Sequence, residues 1–269
     1  MYAASSREAL AEARAVLESA TGSAQAGDTT GDELLEVSRL LDGNRELLTA
    51  LTEAALPPAE RAAVARAVLA GKVGDATSAV VAAAAGAQWS TSTDLASGLH
   101  DLGVQALLRS AAAADEGGAV EDELFRLGRI VAGDPQLEQA LSDRARPVAD
   151  RVGLLRTLIT GKVNPVTEKL ALDAVERSDL QPADAFAALA DTAAHIGGRR
   201  VAHVRAAAAL TDEQRAKLAG DLEADLGSPV TLHVDVDPAL LGGVVVRVGN
   251  EQIDGSIAGK LAAVRRGLR

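Results

Sequence analysis

The sequence predicts a mostly α-helical α+β protein, in which a duplicated helical bundle precedes a small C-terminal α+β domain with a β-hairpin. Between residues 5 and 196, apolar residues recur at helical spacing and are interrupted by glycine and proline. The order of these breakers repeats at a fixed offset of 90 residues, which indicates an internal duplication. Beyond residue 200, short alternating and β-branched runs are typical of strands.

The helical part begins with Ser5-Ser6-Arg7-Glu8, a capping-box pattern that predicts a helix from residue 5 to 20. A polar stretch, Thr21 to Gly31, is expected to be a connector. Five further helices are predicted between the breakers: Asp32 to Asp42, Asn44 to Ala55, Pro58 to Ala70, Asp75 to Ala85 and Thr93 to Ala114.

The second copy repeats the first without a gap. Gly71-Lys72-Val73 returns 90 positions later as Gly161-Lys162-Val163, and Arg61 returns as Arg151. The second copy lacks an equivalent of the helix at residues 5 to 20. We therefore expect three domains: a first helical copy at 1–118, a second at 119–199, and the α+β domain at 200–269.

The C-terminal domain shows strand and turn signals in a fixed order. Strands are predicted at Val201 to Leu210 and Val230 to Asp237, and a capping box beginning at Thr211 opens the helix between them. In the second strand the valines and leucine should face the core, with His233 on the polar face. The remaining segments are predicted to be a strand at Val244 to Val248, a turn at Gly249-Asn250, a strand at Glu251 to Asp254 and a final helix capped by Ser256.

Composition excludes several classes of function. The net charge is −11 and aromatic residues make up 1% of the chain, which argues against nucleic-acid binding. No cysteine is present, so thiolate catalysis and sulfur-ligated metals are excluded. The longest wholly apolar stretch, Ala79 to Ala85, is far shorter than the roughly 20 residues that span a bilayer. Because acidic residues also crowd the N-terminus, we expect a soluble intracellular chain without a signal peptide.

No motif for catalysis or cofactor binding can be assembled. The four histidines, His100, His195, His203 and His233, show no metal-ligand spacing and are expected to be partly exposed structural residues. Gly259-Lys260 and the two Gly-Lys pairs of the copies lack the other residues of a phosphate loop. We therefore expect no catalytic residue, no metal and no cofactor.

Two arginine pairs are candidates for interaction. Arg199-Arg200 follows a Gly-Gly pair and could form a salt bridge or a solvated hinge, of which the hinge is favoured. Arg265 and Arg266 lie in a basic C-terminus, where they could stabilise the helix dipole or contact an acidic partner or lipid headgroups.

The end of the chain resembles the δ subunit of F-type ATP synthases, the family that includes the mitochondrial oligomycin-sensitivity-conferring protein. The residues that carry the resemblance match in order: Asp237-Pro238, Gly242-Gly243, Gly249, Asp254 and Ser256. The second copy and the α+β domain together look like a complete δ subunit. The extra first copy departs from the ordinary pattern and is similar to the enlarged δ of actinobacteria, as are Ser6 to Leu10 and Trp89.

The resemblance implies a non-catalytic peripheral-stalk (stator) subunit. Its helical region would bind N-terminal helices of the α subunits of the catalytic head, and its C-terminal domain would join the C-terminal end of the b-subunit stalk. It would thus couple rotary torque to ATP synthesis at the cytoplasmic face of the cell membrane, as a peripheral protein without a membrane span. The alternatives are a helical-repeat scaffold for unrelated partners and, with no residues to support it, an enzyme.

We predict that the isolated chain neither hydrolyses ATP nor binds it appreciably, because its sequence contains no phosphate loop. Isothermal titration calorimetry with Mg-ATP should give only heats of dilution. Stoichiometric binding of ATP at micromolar concentration would contradict this prediction.

Overall fold

A computed structural model of the protein describes residues 2–177, 179–240, 242–249 and 251–254. The helices of the first half are α1 (Ala4–Ala20), α2 (Ala24–Gly43), α3 (Arg45–Thr52), α4 (Pro58–Leu69), α5 (Asp75–Gly86) and α6 (Ser92–Ala113). They are followed by α7 (Gly117–Gly133), α8 (Pro135–Ser142), α9 (Val148–Ile159), α10 (Pro165–Arg177) and α11 (Pro182–Ile196). The C-terminal elements are β1 (Arg200–Ala206), α12 (Asp212–Leu226), β2 (Val230–Val236), β3 (Val244–Val248) and β4 (Glu251–Asp254). The predicted α+β class is confirmed.

The helix bounds reproduce the internal repeat. Helices α3 and α8 begin and end 90 positions apart, and so do α4 and α9. Gly71 and Gly161, at equivalent positions, both adopt the left-handed conformation, with φ of 70° and 73°. Both glycines lie just beyond a helix end, where positive φ closes the last turn. Helices α2 to α6 therefore correspond to α7 to α11, and α1 precedes the repeated unit.

Contacts divide the chain into two compact units, Met1–Val120 with Ile159–Leu172, and Glu121–Leu158 with Asp173–Arg269. The three-domain division at residues 118 and 199 stays a prediction. In the first unit, apolar side chains of α1 to α6 form one buried core. The largest fully buried side chains of that core are Leu17, Leu34, Leu41, Leu95, Leu99 and Leu102.

The closest helix pair of the first unit, α2 and α6, meets through small residues. A Cβ added to Gly31 would lie 2.6 Å from Cγ of Leu107 and 3.0 Å from its backbone nitrogen. A Cβ on Gly103 would lie 3.1 Å from the carbonyl oxygen of Gly31. These distances are too short for a side chain, so glycine sets the separation of the two helices.

The same contact explains why the predicted connector Thr21 to Gly31 is wrong. Most of this stretch belongs to α2, which begins at Ala24 and is capped by Ser23, whose Oγ accepts a hydrogen bond from the Ala26 amide at 3.2 Å. Gly27, Thr30 and Gly31 are buried in α2. Small and polar residues resemble a loop in sequence, but here they allow two helix backbones to approach each other.

The predicted capping box at Ser5-Ser6-Arg7-Glu8 is also wrong. Helix α1 begins at Ala4, and its N-cap Ala3 makes no side-chain hydrogen bond. Ser6 is buried, and its hydroxyl donates to the Asp94 carboxylate at 2.6 Å and accepts from the Ser90 amide at 2.9 Å. The serine therefore links α1 to the start of α6 instead of capping its own helix.

The sheet of the second unit has the strand order β2-β1-β3-β4. Strand β1 pairs parallel with β2 and antiparallel with β3, and β3 and β4 form the predicted hairpin. Strand β1 ends at Ala206, four residues earlier than predicted. The capping box of α12 is confirmed, since Thr211 Oγ1 accepts from the Gln214 amide at 3.2 Å and Gln214 Oε1 accepts from the Thr211 amide at 2.9 Å. Leu222 of α12 is buried with apolar side chains of β1, β2 and β3.

We expect Gly31→Ala to destabilise the protein by about 1–3 kcal/mol, because the added methyl group overpacks the α2–α6 contact and meets backbone atoms that cannot move away. The matched control is Gly153→Ala in α9, where an added Cβ has no neighbour within 4 Å. That variant should gain about 0.5–1 kcal/mol from helix propensity. Urea denaturation followed by circular dichroism measures both. Equal effects of the two substitutions would contradict the packing argument.

Candidate functional sites

The signature segment forms a tight entry into a hairpin at the end of the sheet. Gly242 and Gly243 have φ of 141° and 82°, and Gly249 at the hairpin turn has φ of 57°. These angles lie in the region that side chains disfavour, which explains the glycines. Strand β4 is exposed along its whole length. Asp254, the last residue of β4, pairs in register with Val245 of β3. Ser256, Arg265 and Arg266 lie outside the described residues.

Arg199 forms an ion pair with a buried carboxylate instead of the favoured solvated hinge. Its guanidinium donates to the carboxylate of Glu121, near the start of α7. The Glu121 side chain is only 3% exposed, so its charge needs a partner inside the protein. Arg200 begins β1 as an exposed residue, and its backbone amide donates to the Pro229 carbonyl at 2.8 Å.

Four side chains converge on one face of the sheet, and we call them the imidazole–carboxylate cluster: Glu121, Asp191, His203 and His233. His233 Nδ1 lies 3.2 Å from Asp191 Oδ1, and His233 Nε2 lies 3.6 Å from Glu121 Oε1. His203 Nε2 lies 3.1 Å from Asp191 Oδ2. The ring of Phe125, from α7, stacks on His233 with a centroid distance of 4.1 Å. Helices α7 and α11 therefore bring acidic groups against the two histidines of the sheet.

The carboxylates control protonation in the cluster. Burial by itself would lower the pKa of His233, but the nearby Asp191 and Glu121 carboxylates outweigh it and raise that pKa above its ordinary value. Burial would likewise raise the pKa of Asp191, but the two histidines dominate and lower it to about 2. Asp191 is therefore ionised over the whole physiological range of pH.

His233 was predicted on a solvent-facing strand surface, and this prediction is wrong. The His233 side chain is 2% exposed, although it follows the alternation of β2. The alternation correctly separates two faces, but α12 packs on one face and residues of α7 and α11 contact the other. Sequence spacing could not reveal the cluster, because its four members come from four separate elements. The sequence signal that could have drawn attention to Asp191 and Arg199 was their recurrence, 90 positions after Asp101 and Arg109.

The repeated arginines have equivalent structural roles in the two copies. Arg61 is buried and donates to the carbonyls of Ala85, Leu56 and Gly86 at 2.8, 2.8 and 2.9 Å. Arg151 donates to the carbonyl of Val175, the residue equivalent to Ala85, at 3.0 Å. Each arginine therefore binds the last turn of a helix, α5 or α10, where backbone carbonyls lack helical donors.

Both copies expose an apolar residue at the same position. Leu40 in α2 is 48% exposed, and its equivalent in α7, Ile130, is 62% exposed. In the first unit Leu40 borders a small apolar pocket of about 10 Å³ that Leu47, Val68 and Val81 also line. A single exposed apolar side chain is ordinary on a protein surface, so what distinguishes these two is their recurrence at equivalent positions of the copies. No helix of the described part of the chain is long and apolar enough to cross a membrane.

Comparisons with known proteins agree with the signature. The sequence pattern of the family described as "ATP synthase delta (OSCP) subunit" matches residues 104–268, which leaves most of the first copy outside the match. The chain is 49% identical to the ATP synthase subunit delta of Nocardia farcinica, with 100% of both chains covered.

Two further relatives cover almost the same length. The chain is 50% identical to the ATP synthase subunit delta of Rhodococcus opacus, covering 100% of this chain and 99% of that protein. It is 43% identical to the subunit of the same name from Corynebacterium diphtheriae, covering 98% and 99%. The first helical copy is thus shared with full-length relatives. The chain belongs to the ATP synthase delta (OSCP) subunit family.

Proposed function

We propose that this subunit is a non-catalytic stator component that links the catalytic head of the F-type ATP synthase to the b-subunit stalk. Its family membership supports a place in the complex, and its architecture supports a connecting role. The helical copies, which come first in the sequence, expose equivalent apolar residues. The hairpin of the sheet comes later, towards the C-terminal end of the chain. Two different surfaces on one chain are what a connector needs.

The helical copies are proposed to bind N-terminal helices of α subunits. The recurrence of Leu40 as Ile130 carries this part of the proposal, because a duplication copies a docking position together with the fold. An amphipathic helix can bury its apolar face against such residues. The C-terminal domain, with its exposed β4, is proposed to contact the end of the b subunit. Torque would then pass through the chain without bond chemistry.

The proposed location is the cytoplasmic face of the cell membrane, as a peripheral part of the assembled complex. A pull-down from detergent-solubilised membranes with the tagged full-length chain tests whether the chain is part of that complex. Recovery of the α, β and b subunits supports the stator role, whereas enrichment of unrelated proteins without them would support a general helical-repeat scaffold.

We predict that the full-length chain binds two α-subunit N-terminal peptides, one for each copy. Leu40→Glu and Ile130→Glu should each remove one binding event, because a charge would be buried without a partner in the docked state. Binding to the first copy should weaken more with salt, since residues 1–118 hold 8 Lys/Arg and 16 Asp/Glu, a net charge of −8. Calorimetric titration measures both stoichiometry and salt dependence.

The control for this titration is Val236→Glu, which changes an exposed apolar residue of the sheet and should leave both binding events intact. If the wild-type chain binds only one peptide and only Ile130→Glu abolishes that binding, the first copy is a spacer that lengthens the subunit. Unchanged binding in all the variants would contradict docking at these positions.

We predict that Gly243→Val uncouples the enzyme while the head continues to hydrolyse ATP. Valine strongly disfavours φ of 82°, at a cost of about 1–2 kcal/mol, so the entry into β3 should be displaced. ATP-driven proton pumping in inverted membrane vesicles should fall, with ATPase activity retained. The control is Gly249→Asn, because asparagine tolerates the left-handed conformation at that turn. Normal pumping by Gly243→Val would exclude the hairpin entry as a coupling element.

A further inference from the structure

We propose that Asp191, His203 and His233 form a binding site for a transition-metal ion, with Zn²⁺ as the preferred ion. The three side chains belong to α11, β1 and β2, and one ligand atom of each lies within 4.8 Å of the others. Two imidazole nitrogens and one carboxylate oxygen are a donor set typical of zinc sites with three protein ligands. This site is independent of the docking surfaces proposed above.

The unsatisfied atoms of the cluster point to a ligand. His233 is buried, yet neither of its ring nitrogens has a hydrogen-bond partner of normal geometry. Asp191 Oδ1 also lacks a hydrogen bond, although it lies 3.2 Å from His233 Nδ1. Buried polar atoms are nearly always hydrogen-bonded, so two facing atoms without a bond need an explanation. A cation between them would satisfy both.

The spacing of the ligand atoms suits a small metal ion. Asp191 lies 3.1 Å from His203 Nε2 and 3.2 Å from His233 Nδ1, measured from its two carboxylate oxygens. Around a tetrahedral zinc ion with bonds of about 2.0–2.1 Å, neighbouring ligand atoms lie roughly 3.3 Å apart. One ligand atom from each residue lies within 4.8 Å of the others, so the side chains would have to close this spacing to about 3.3 Å when an ion binds. Ca²⁺ and Mg²⁺ prefer oxygen ligands and do not match this donor set.

Glu121 lies close to where a metal site needs a supporting carboxylate. If His233 binds a metal through Nδ1, its Nε2 keeps a hydrogen and faces Glu121 Oε1 at 3.6 Å, a distance that must shorten for a hydrogen bond to form. Such carboxylate–histidine pairs fix the tautomer and orientation of metal ligands. Arg199 in turn holds Glu121, and Phe125 stacks against the ring of His233. Glu121 is thus a positioning residue for the site.

The site is open on one side. The side chains of Asp191 and His203 are 39% and 32% exposed, so an ion can enter from solvent and retain a water molecule as its fourth ligand. A bound ion would join α11 to two strands through direct bonds. The alternative state of the cluster is a protonated His233 between two carboxylates, in which no metal binds.

The test uses the full-length chain after treatment with EDTA and removal of the chelator. Titration with Co²⁺ should saturate at one ion per chain, with the intense visible absorption of tetrahedral cobalt, and Zn²⁺ should displace it. His203→Gln replaces a partly exposed ligand and should weaken Co²⁺ binding by more than the 10–100-fold that is typical of changes outside the metal ligands. Glu121→Gln should weaken it by about 10–100-fold while keeping the tetrahedral spectrum.

His100→Gln is the matched control, because it removes a histidine of the first unit that lies outside the cluster, and it should bind Co²⁺ like the wild type. Circular dichroism of each variant without metal establishes that it is folded. No saturable Co²⁺ or Zn²⁺ binding by the wild-type chain would overturn the proposal. Wild-type affinity in folded His203→Gln would also overturn it, since the ion would then be bound elsewhere.

Discussion

The second unit depends on a buried carboxylate at the start of its first helix. Glu121 has almost no contact with water, so its charge is tolerable only if cations within the protein face it. Arg199, just before β1, supplies that partner, and the ring of His233, in β2, faces the other carboxylate oxygen at 3.6 Å. The requirement to neutralise one acidic group therefore ties the helical copy to the sheet. Removing Arg199 would leave a buried charge without its ion-pair partner, which costs more free energy than the loss of an apolar contact.

Features encoded by local backbone chemistry were predictable from the sequence. Proline and glycine breakers predicted α4 within one residue, and the 90-residue offset transferred those bounds to α9. The Thr211 capping box and the β3–β4 hairpin were confirmed for the same reason, since residues close in sequence satisfy one another. The family signature also lies in a local turn, where glycines are required by backbone angles.

Features that depend on distant partners were not predictable. Ser6 looked like a helix cap but bonds to Asp94 and Ser90, far along the chain. Gly27 and Gly31 looked like a connector, although they lie in a helix packed closely against α6. His233 obeyed the strand alternation, but the sequence did not say that helices would contact that face. In each case the structural role of the residue depends on contacts with an element that is many residues away in the sequence.

The two copies differ at a position that matters for the sheet. Position 31 in the first copy holds a glycine that admits a neighbouring helix, whereas the equivalent position in the second copy holds Glu121. A bundle with glycine there has no carboxylate with which to hold Arg199 and His233. The copies are therefore not interchangeable, and only the second can support the sheet. A substitution in the second copy must therefore preserve the contacts of Glu121 with Arg199 and His233, whereas Gly31 in the first copy has only to admit a neighbouring helix.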